Sequence, residues 1–394
     1  MLTPSGRREM MTSSFGRRTT GRFAIVGILE PSPIVLTNFD AEQLRERLSP
    51  LGVTLRQARQ IHAAAVRRQQ WPTPQADGLP AAMIDQLQRC TVIPSLTRIE
   101  RKVSPQDGFA KYLFRGADDD TLEAVRIPLL HRPDDPKYVV CVSSQVGCSL
   151  GCRFCATGQM GFRRNLAPWE ILDQVIQIQA DSEHPVRGVV FMGMGEPMLN
   201  FNAVVQAARL MTASYGLAIA GKAITISTAG VTPGVRRFTA LKKPYRLVVS
   251  LNMADPELRR AWMPVEKQYP TAELFDALRE YHAATGRRVI LAWTMISGIN
   301  TRPEDARQLA ALARGLPIKL DLIDVNDPTG RCKPPSAEEL AVFRDALSAE
   351  LGQPVGRRYS GGRDIHAACG MLSHCRETRR EVGQETCQTT QSMP

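Results

Sequence analysis

Four cysteines crowd the stretch from Cys141 to Cys155, and three of them, Cys148, Cys152 and Cys155, have the spacing Cys-x3-Cys-x2-Cys. Thiolates at such intervals on one loop can converge on a soft metal, commonly as a zinc site or an iron–sulfur cluster. A structural zinc ion wants four protein ligands, usually as two Cys or His pairs. This loop offers three thiolates and no nearby histidine. On a four-iron cluster, three thiolates leave one iron open to a small molecule. Phe154, wedged between two of the ligands, would keep such a cluster dry on one side.

Other chemistry-bearing residues fall at the ends of strand-like runs. The turn Met192-Gly-Met-Gly-Glu-Pro197 has two glycines that permit close backbone approach to a ligand, and a proline that ends the strand. Ser227, Ser250 and Asn252 each put a hydroxyl or amide at a later strand end, and Asn326 follows another. Any one of these reads as a plain turn residue; a series of them on consecutive strand ends is harder to explain that way. Far downstream, Cys369 lies in Gly361-Gly-Arg-Asp-Ile-His-Ala-Ala-Cys369-Gly-Met-Leu372. Flanking glycines let that loop fold over a site, and small neighbours leave the thiol unobstructed.

These residues need a scaffold. Strand patterns at 138–143, 188–192, 223–227, 246–251, 289–295 and 318–325 alternate with helical patterns at 169–180, 203–212, 233–241, 272–284, 303–314 and 337–351. Right-handed β-α alternation makes a parallel sheet, and six units suit an open, partial barrel better than a closed eight-unit one. In such sheets ligands sit at the C-terminal strand ends, where the unusual residues fall. Ahead of the barrel, residues 96–103, 110–115 and 122–127 alternate around the turn-forming clusters 105–108 and 116–120, which predicts a short antiparallel meander. Residues 38–93 turn helical, with Arg56, Arg59, Arg67 and Arg68 on or beside a second helix at 55–68. That face is either solvated surface or a platform for an RNA backbone. The predicted division is a basic arm (1–37), a helical accessory domain (38–93), the meander (94–133), the barrel (134–353), the Cys369 loop (354–375) and a polar tail (376–394) that holds Cys387. Arm and tail are expected to be disordered.

Composition sets the remaining bounds. The 394 residues are 43% apolar and 23% charged, with a formal net charge of +11. A basic balance favours an anionic partner, because each Lys or Arg beside a phosphate releases counterions. No apolar run approaches the length of a membrane span, and the arginine-bearing N-terminus has no secretion-signal core. Nine clustered cysteines do not read as a secreted disulfide framework; they fit a reducing cytoplasm.

The cysteine string resembles that of radical S-adenosylmethionine (SAM) enzymes. Its fuller form, Cys141-Val-Ser-Ser-Gln-Val-Gly-Cys148-Ser-Leu-Gly-Cys152-Arg-Phe-Cys155-Ala-Thr-Gly158, is similar to the RlmN/Cfr family of RNA methyltransferases. Asp107-Gly-Phe-Ala-Lys111, Glu123-Ala-Val-Arg-Ile-Pro128 and the Cys369 segment match that family as well, so the resemblance spans about residues 40 to 375. It implies an α/β fold, a partial (βα)6 barrel, with a [4Fe–4S] cluster on Cys148, Cys152 and Cys155. SAM would be held by Gly195, Glu196, Ser227, Ser250, Leu251, Asn252 and Asn326. The resemblance also implies two SAM molecules per turnover: one methylates Cys369, and the other is cleaved reductively to a radical that activates the methyl group. Glu123 is the implied base for the ring proton, and Cys141 the thiol that forms a transient disulfide with Cys369. The implied substrate is an adenosine of 23S rRNA, with tRNA as a further target. Partners would be an electron donor such as flavodoxin and no membrane, with the enzyme monomeric in the cytoplasm.

Gly161-Phe-Arg-Arg-Asn-Leu166 leans toward the adenine carbon-2 branch of the family rather than the carbon-8 branch. Two departures stand out. The family commonly has His where this chain has Asn252, and Gln where it has Met371. Both mark a divergent branch. The competing class is a non-enzymatic iron–sulfur or zinc RNA-binding protein, which has no use for Cys369, Cys141 or the Gly195-Glu196 turn.

Overall fold

The computed structural model describes residues 32–129, 135–327 and 329–373. Nearly all of the expected N-terminal arm and the whole of the expected tail, including Cys387, lie outside the described residues.

Helices Ala41–Arg47, Leu55–Arg67 and Ala81–Cys90 pack around Leu36, Leu44, Leu48, Ile61 and Leu87. The first two open on capping boxes, Asp40 with Gln43 and Thr54 with Gln57, which satisfy backbone N–H groups that a helix start leaves open. The third has no sharp signal of its own in the sequence. It buries only Ile84 and Leu87, too sparse a stripe to show as periodicity. A short parallel pair, β1 (Ile34–Val35) with β2 (Thr91–Val92), ties the ends of this unit together.

Specific bonds seat the unit on the rest of the chain. Arg67 donates through Nε to the Gly216 carbonyl (2.8 Å) and through Nη2 to that of Ser214 (3.0 Å). The Tyr215 hydroxyl accepts from the Ala41 N–H at 3.2 Å. Within the unit itself, Arg68 pairs with Asp77 at 2.6 Å. Two of the four arginines singled out as an RNA face therefore have close structural partners, and a third, Arg59, has a looser ion pair with Glu42 at 3.9 Å. Arg56 and Arg59 line an open groove beside Gln60 and Tyr215.

The main sheet starts with β3 (Thr97–Val103), β4 (Ala110–Arg115) and β5 (Thr121–Leu129), antiparallel neighbours as the turn clusters require. β5 then pairs antiparallel with β6 (Lys137–Cys141), so the meander is an edge of the barrel sheet and not a separate layer. A ribbon of β7 (Gln145–Gly147) and β8 (Phe162–Asn165) brackets the cysteine loop. β9 (Val186–Phe191), β10 (Ile224–Thr228), β11 (Arg246–Ser250), β12 (Val289–Met295), β13 (Ile318–Asp324) and β14 (Val355–Arg357) follow. Sheet order is β14-β13-β12-β11-β10-β9-β6-β5-β4-β3, parallel from β6 to β14.

Helices Pro168–Ala180, Phe201–Thr212, Thr232–Ala240, Thr271–Thr285, Pro303–Leu312 and Ala337–Leu351 make the crossovers between successive parallel strands. The expected α/β architecture with six β-α steps is therefore present. β14 adds a parallel strand that three residues of sequence could not announce. Burial on both faces accounts for the Val, Ile and Leu runs in β11, β12 and β13. No described helix is long and apolar enough to cross a membrane.

Candidate active site

The cysteine loop leaves β7 and returns through β8. Gly147 makes the turn possible: at φ +72°, an added Cβ would sit 1.8 Å from the Gly161 carbonyl oxygen. The loop is held by backbone bonds from Cys148 N to Gly161 O (2.9 Å), Cys155 N to Cys152 O (3.1 Å) and Arg153 N to Trp262 O (3.0 Å). Cys148, Cys152 and Cys155 all face a cavity of about 180 Å³ at the C-terminal ends of the parallel strands. Burial raises all three thiols; that of Cys148 is pushed up to about 12, and for Cys148 and Cys152 the neighbouring thiolates add to the effect. A cationic cluster reverses both costs, because it replaces lost hydration and neutralises the crowded charge.

The donor set also says which metal group fits. Among the described residues, no three Cys, His, Asp or Glu side chains converge tightly enough for one metal ion. Three thiolates on one zinc would lie about 3.8 Å apart, whereas ligands to three corners of an iron–sulfur cube stand farther apart. Phe154 lines the same cavity and packs with Met253, Met263 and Val325.

Opposite the cysteines, the strand ends form a rim. Gly195 has φ +96°, and a Cβ there would meet Gln145 Cβ at 2.5 Å, so the turn after β9 needs glycine. Glu196, nearly without exposure, accepts from Met198 N (3.0 Å) and Ala229 N (2.8 Å), binding the β9 turn to the end of β10. Burial raises its carboxyl above the usual range despite those two bonds. Ser227 and Ser250 meet at 3.3 Å on neighbouring strand ends. Asn252 sits at φ +60°, which an amide side chain tolerates well. Its Oδ1 accepts from Thr294 N at 2.8 Å.

Asn326 donates to Ser360 Oγ at 3.1 Å, while its buried Oδ1 has no hydrogen-bond donor; nor has Asp324 Oδ1 beside it. Buried acceptors without donors in the wall of a cavity suit a ligand that brings its own N–H or O–H groups, as SAM does. Of the residues expected to hold SAM, only Leu251 is absent from the lining. It is fully buried, and its carbonyl accepts from Arg259 Nε at 3.2 Å.

A second cavity, of about 420 Å³, lies against the first and shares Cys155, Met192, Gly193, Arg358, Cys369 and Gly370 with it. Cys141, at the end of β6 and flanked in the ladder by Val125 and Val190, lines this second cavity. Cys369 is an exposed free thiol; Cys141 is buried and free. Burial, with a further rise from Cys369, pushes the Cys141 thiol up to about 12. Glu123 lies on the same strand face as Val125 but lines neither cavity. Its carboxylate holds Lys111 at 3.0 Å and accepts from Ser373 N at 2.8 Å.

The loop that carries Cys369 is latched from afar. Asp107 accepts from Gly362 N and from the Tyr359 hydroxyl, each at 2.8 Å. Ser360 Oγ accepts from Cys369 N at 3.1 Å, Thr157 Oγ1 donates to Leu372 O at 2.5 Å, and Ala156 N donates to Gly370 O at 2.8 Å. Arg358, Ser360 and Asp107 were not anticipated as site residues. In the sequence, the Asp107 segment stands out only through the family resemblance. Arg358 points to the junction of the two cavities, its Nη1 3.2 Å from Met192 Sδ.

Residues 142–313 match the Radical SAM superfamily. A probable RNA methyltransferase of Myxococcus xanthus is 46% identical over 86% of this chain and 94% of its own length. The chain belongs to the RlmN-like family of radical SAM RNA methyltransferases. A dual-specificity RNA methyltransferase RlmN of Syntrophobacter fumaroxidans is 37% identical over 86% of this chain and 98% of its own. The crystal structure of a radical SAM methyltransferase from Sphaerobacter thermophilus is similar at a TM-score of 0.78 and 35% identity, covering 86% of this chain and 99% of that one. Family membership implies a [4Fe–4S] cluster and SAM, and the three-thiol loop and the rim have the chemistry to hold them.

Proposed function

We propose that this RNA methyltransferase acts on a ring carbon of adenosine, carbon 2, in the peptidyl-transferase region of 23S rRNA, with tRNA as a second target. The observation that carries the reading is that Cys141 and Cys369, remote in sequence, line one cavity that abuts the three-thiol loop. Similarity to a relative named dual-specificity RNA methyltransferase RlmN supports the choice of branch. When bound, the cluster and two SAM molecules per turnover supply the methyl group and the one-electron chemistry that an electron-poor ring carbon requires. Cys148, Cys152 and Cys155 would hold the cluster. Gly195, Glu196, Ser227, Ser250, Asn252 and Asn326 would hold SAM, and an acidic carrier of the flavodoxin class would deliver the electron.

The chain's own residues then divide the work. Cys369 carries the methyl group as a thioether and stays bonded to the product through that carbon once it has joined the ring. Glu123 takes the ring proton. Its carboxylate stands behind the cavity wall, so the Ser373 N–H must yield first. Cys141 sulfur attacks Cys369 sulfur: the S–S bond forms, the S–C bond breaks, and its electron pair passes to the methylene carbon, which takes up a proton. A cellular dithiol reduces the disulfide for the next turnover. The attack needs a thiolate, so Cys141, pushed up to about 12 by burial, must be exposed or deprotonated as the product forms.

Loss of a step after bond formation accumulates its intermediate. Cys141→Ala should therefore trap RNA covalently on Cys369, seen as a nuclease-sensitive band on denaturing gels, and Cys141→Ala/Cys369→Ala should not. Absence of that band, under conditions where the parent enzyme turns over, refutes the two-cysteine mechanism. Nucleoside mass spectrometry of the RNA identifies the carbon.

A further inference from the structure

Tyr359 is 72% exposed, the most exposed of the large apolar side chains among the described residues, and it lines the Cys141–Cys369 cavity. It is nevertheless not loose. Its hydroxyl donates to Asp107 Oδ2 at 2.8 Å, and its ring meets that of Phe109 edge-on, centroids 6.2 Å apart at 71°. Phe109 is 8% exposed and forms part of the main core, so the support beneath Tyr359 is rigid. Partial burial works against the charge on Asp107, but hydrogen bonds from Gly362, Tyr359, Ser104 and Phe109 outweigh it and hold the carboxyl below its ordinary value. The anchor thus stays ionised at neutral pH. An aromatic ring fixed at its hydroxyl and its edge, yet open to solvent, is a flat apolar surface without a partner.

The surroundings say what partner fits. Arg358 on one side reaches the junction of the two cavities. Arg357 and Arg363 converge on Asp324 Oδ2 at 2.8 and 3.2 Å, with about half of each side chain exposed. Arginines around an aromatic face are the usual means of gripping a single-stranded nucleic acid: rings stack on bases while cations meet phosphates. An enzyme that acts on a ring carbon must draw its target base out of the stack. That leaves the neighbouring base with one face bare. The target itself belongs deeper, between Cys141 and Cys369, while Tyr359 stands at the mouth.

We propose that Tyr359 is the stacking platform for the nucleotide beside the target base, replacing the partner that base gives up when the target enters the cavity. The inference rests on the RNA methyltransferase reading and adds a positioning residue to it. Base–aromatic stacking contributes enough that its loss should raise KM about tenfold to a hundredfold. The change in kcat should be small, because the contact is made before and during reaction alike.

The probes are a 23S rRNA peptidyl-transferase fragment and a tRNA transcript. Stem-loops are then cut from whichever is methylated and carry 2-aminopurine at the target or at a neighbouring position. In the parent enzyme, fluorescence at one flanking position should be quenched on binding. Tyr359→Phe and Tyr359→Trp should keep the quench and a near-parent KM. Tyr359→Leu, with an unchanged melting temperature, should lose both. Quenching unaltered in Tyr359→Leu, quenching confined to the target position, or a Tyr359→Phe defect as large as that of Tyr359→Leu each overturns the platform. In the last case the Asp107 bond alone matters. Methylation of neither RNA overturns the functional reading together with the platform. Methylation with an unaltered KM in Tyr359→Leu overturns the platform only.

Discussion

The two walls of the active-site mouth are held by different means. The rim hangs from strand ends: Ser227 and Ser250 sit in the ladder, opposite Val248 and Ala292, and Gly195 and Asn326 follow within four residues of the ends of β9 and β13. The wall bearing Cys369 leaves the sheet after the three residues of β14 and is held mainly by side chains: Asp107, Ser360, Thr157 and Glu123. A ladder distributes its hold over many backbone bonds, so no single side chain is decisive. A loop held by a few side-chain bonds can be loosened by one substitution, and it can also move. In the proposed mechanism, the residues that only bind are on the first wall. The sulfur that this mechanism has accept a group, meet a substrate and meet a second sulfur, Cys369, is on the second.

The largest effect that would test this contrast is at the cysteine loop, which the rim faces across the first cavity. After anaerobic reconstitution, the Cys148→Ala/Cys152→Ala/Cys155→Ala variant should hold almost no iron, while its melting temperature stays near that of the equally metal-free parent. A full complement of iron, or zinc in the native protein, would show that the rim is not built around a cluster.

On the loop side, Asp107→Ala removes two anchoring bonds to a charged acceptor, each of the kind that contributes roughly 1.5–3 kcal/mol. RNA methylation should fall about tenfold or more while iron content is unchanged. The sign with pH follows from the lowered carboxyl. Its contribution is fully present above the ordinary value and is lost only as pH falls through a still lower one, so Asp107 should give no acid limb near neutrality. If Asp107→Ala leaves the rate unaltered, the loop is held as firmly as the rim and the contrast fails.

Thiol chemistry sharpens the comparison at smaller scale. At pH 8 a thiol titrating near 12 is thiolate in only about one molecule in ten thousand. Iodoacetamide should therefore label exposed Cys369 at least about tenfold faster than Cys141, read by peptide mass spectrometry of the metal-free protein. Equal rates would mean that the loop opens far enough in the resting protein to bare Cys141.

The smallest effect is expected outside the barrel. Arg56→Gln/Arg59→Gln should weaken RNA binding a few-fold and lower the salt slope by about one for each phosphate no longer neutralised. Arg67→Gln should chiefly lower the melting temperature, because its guanidinium holds Gly216 and Ser214. Should Arg67→Gln alter only the salt slope, the assignment of Arg67 to domain docking is wrong.

What the sequence determined by itself was whatever is encoded over short distances. The cysteine spacing, the alternation of strand and helix periods from 138 to 351, and the glycine turn at Gly195 are local patterns, and the sheet then places strand ends together because parallel β-α units admit one handedness. Only the tertiary structure decided which distant groups meet. The bonds from Asp107 to Gly362 and from Glu123 to Ser373 span 255 and 250 residues, and Cys141 shares a cavity with Cys369. Neither a period nor a spacing records such meetings, because they depend on how the C-terminal loop folds back across the sheet. The same limit hid Arg67: as a charge on a helix face it looked like its neighbours, until two carbonyls of another element came within reach of it.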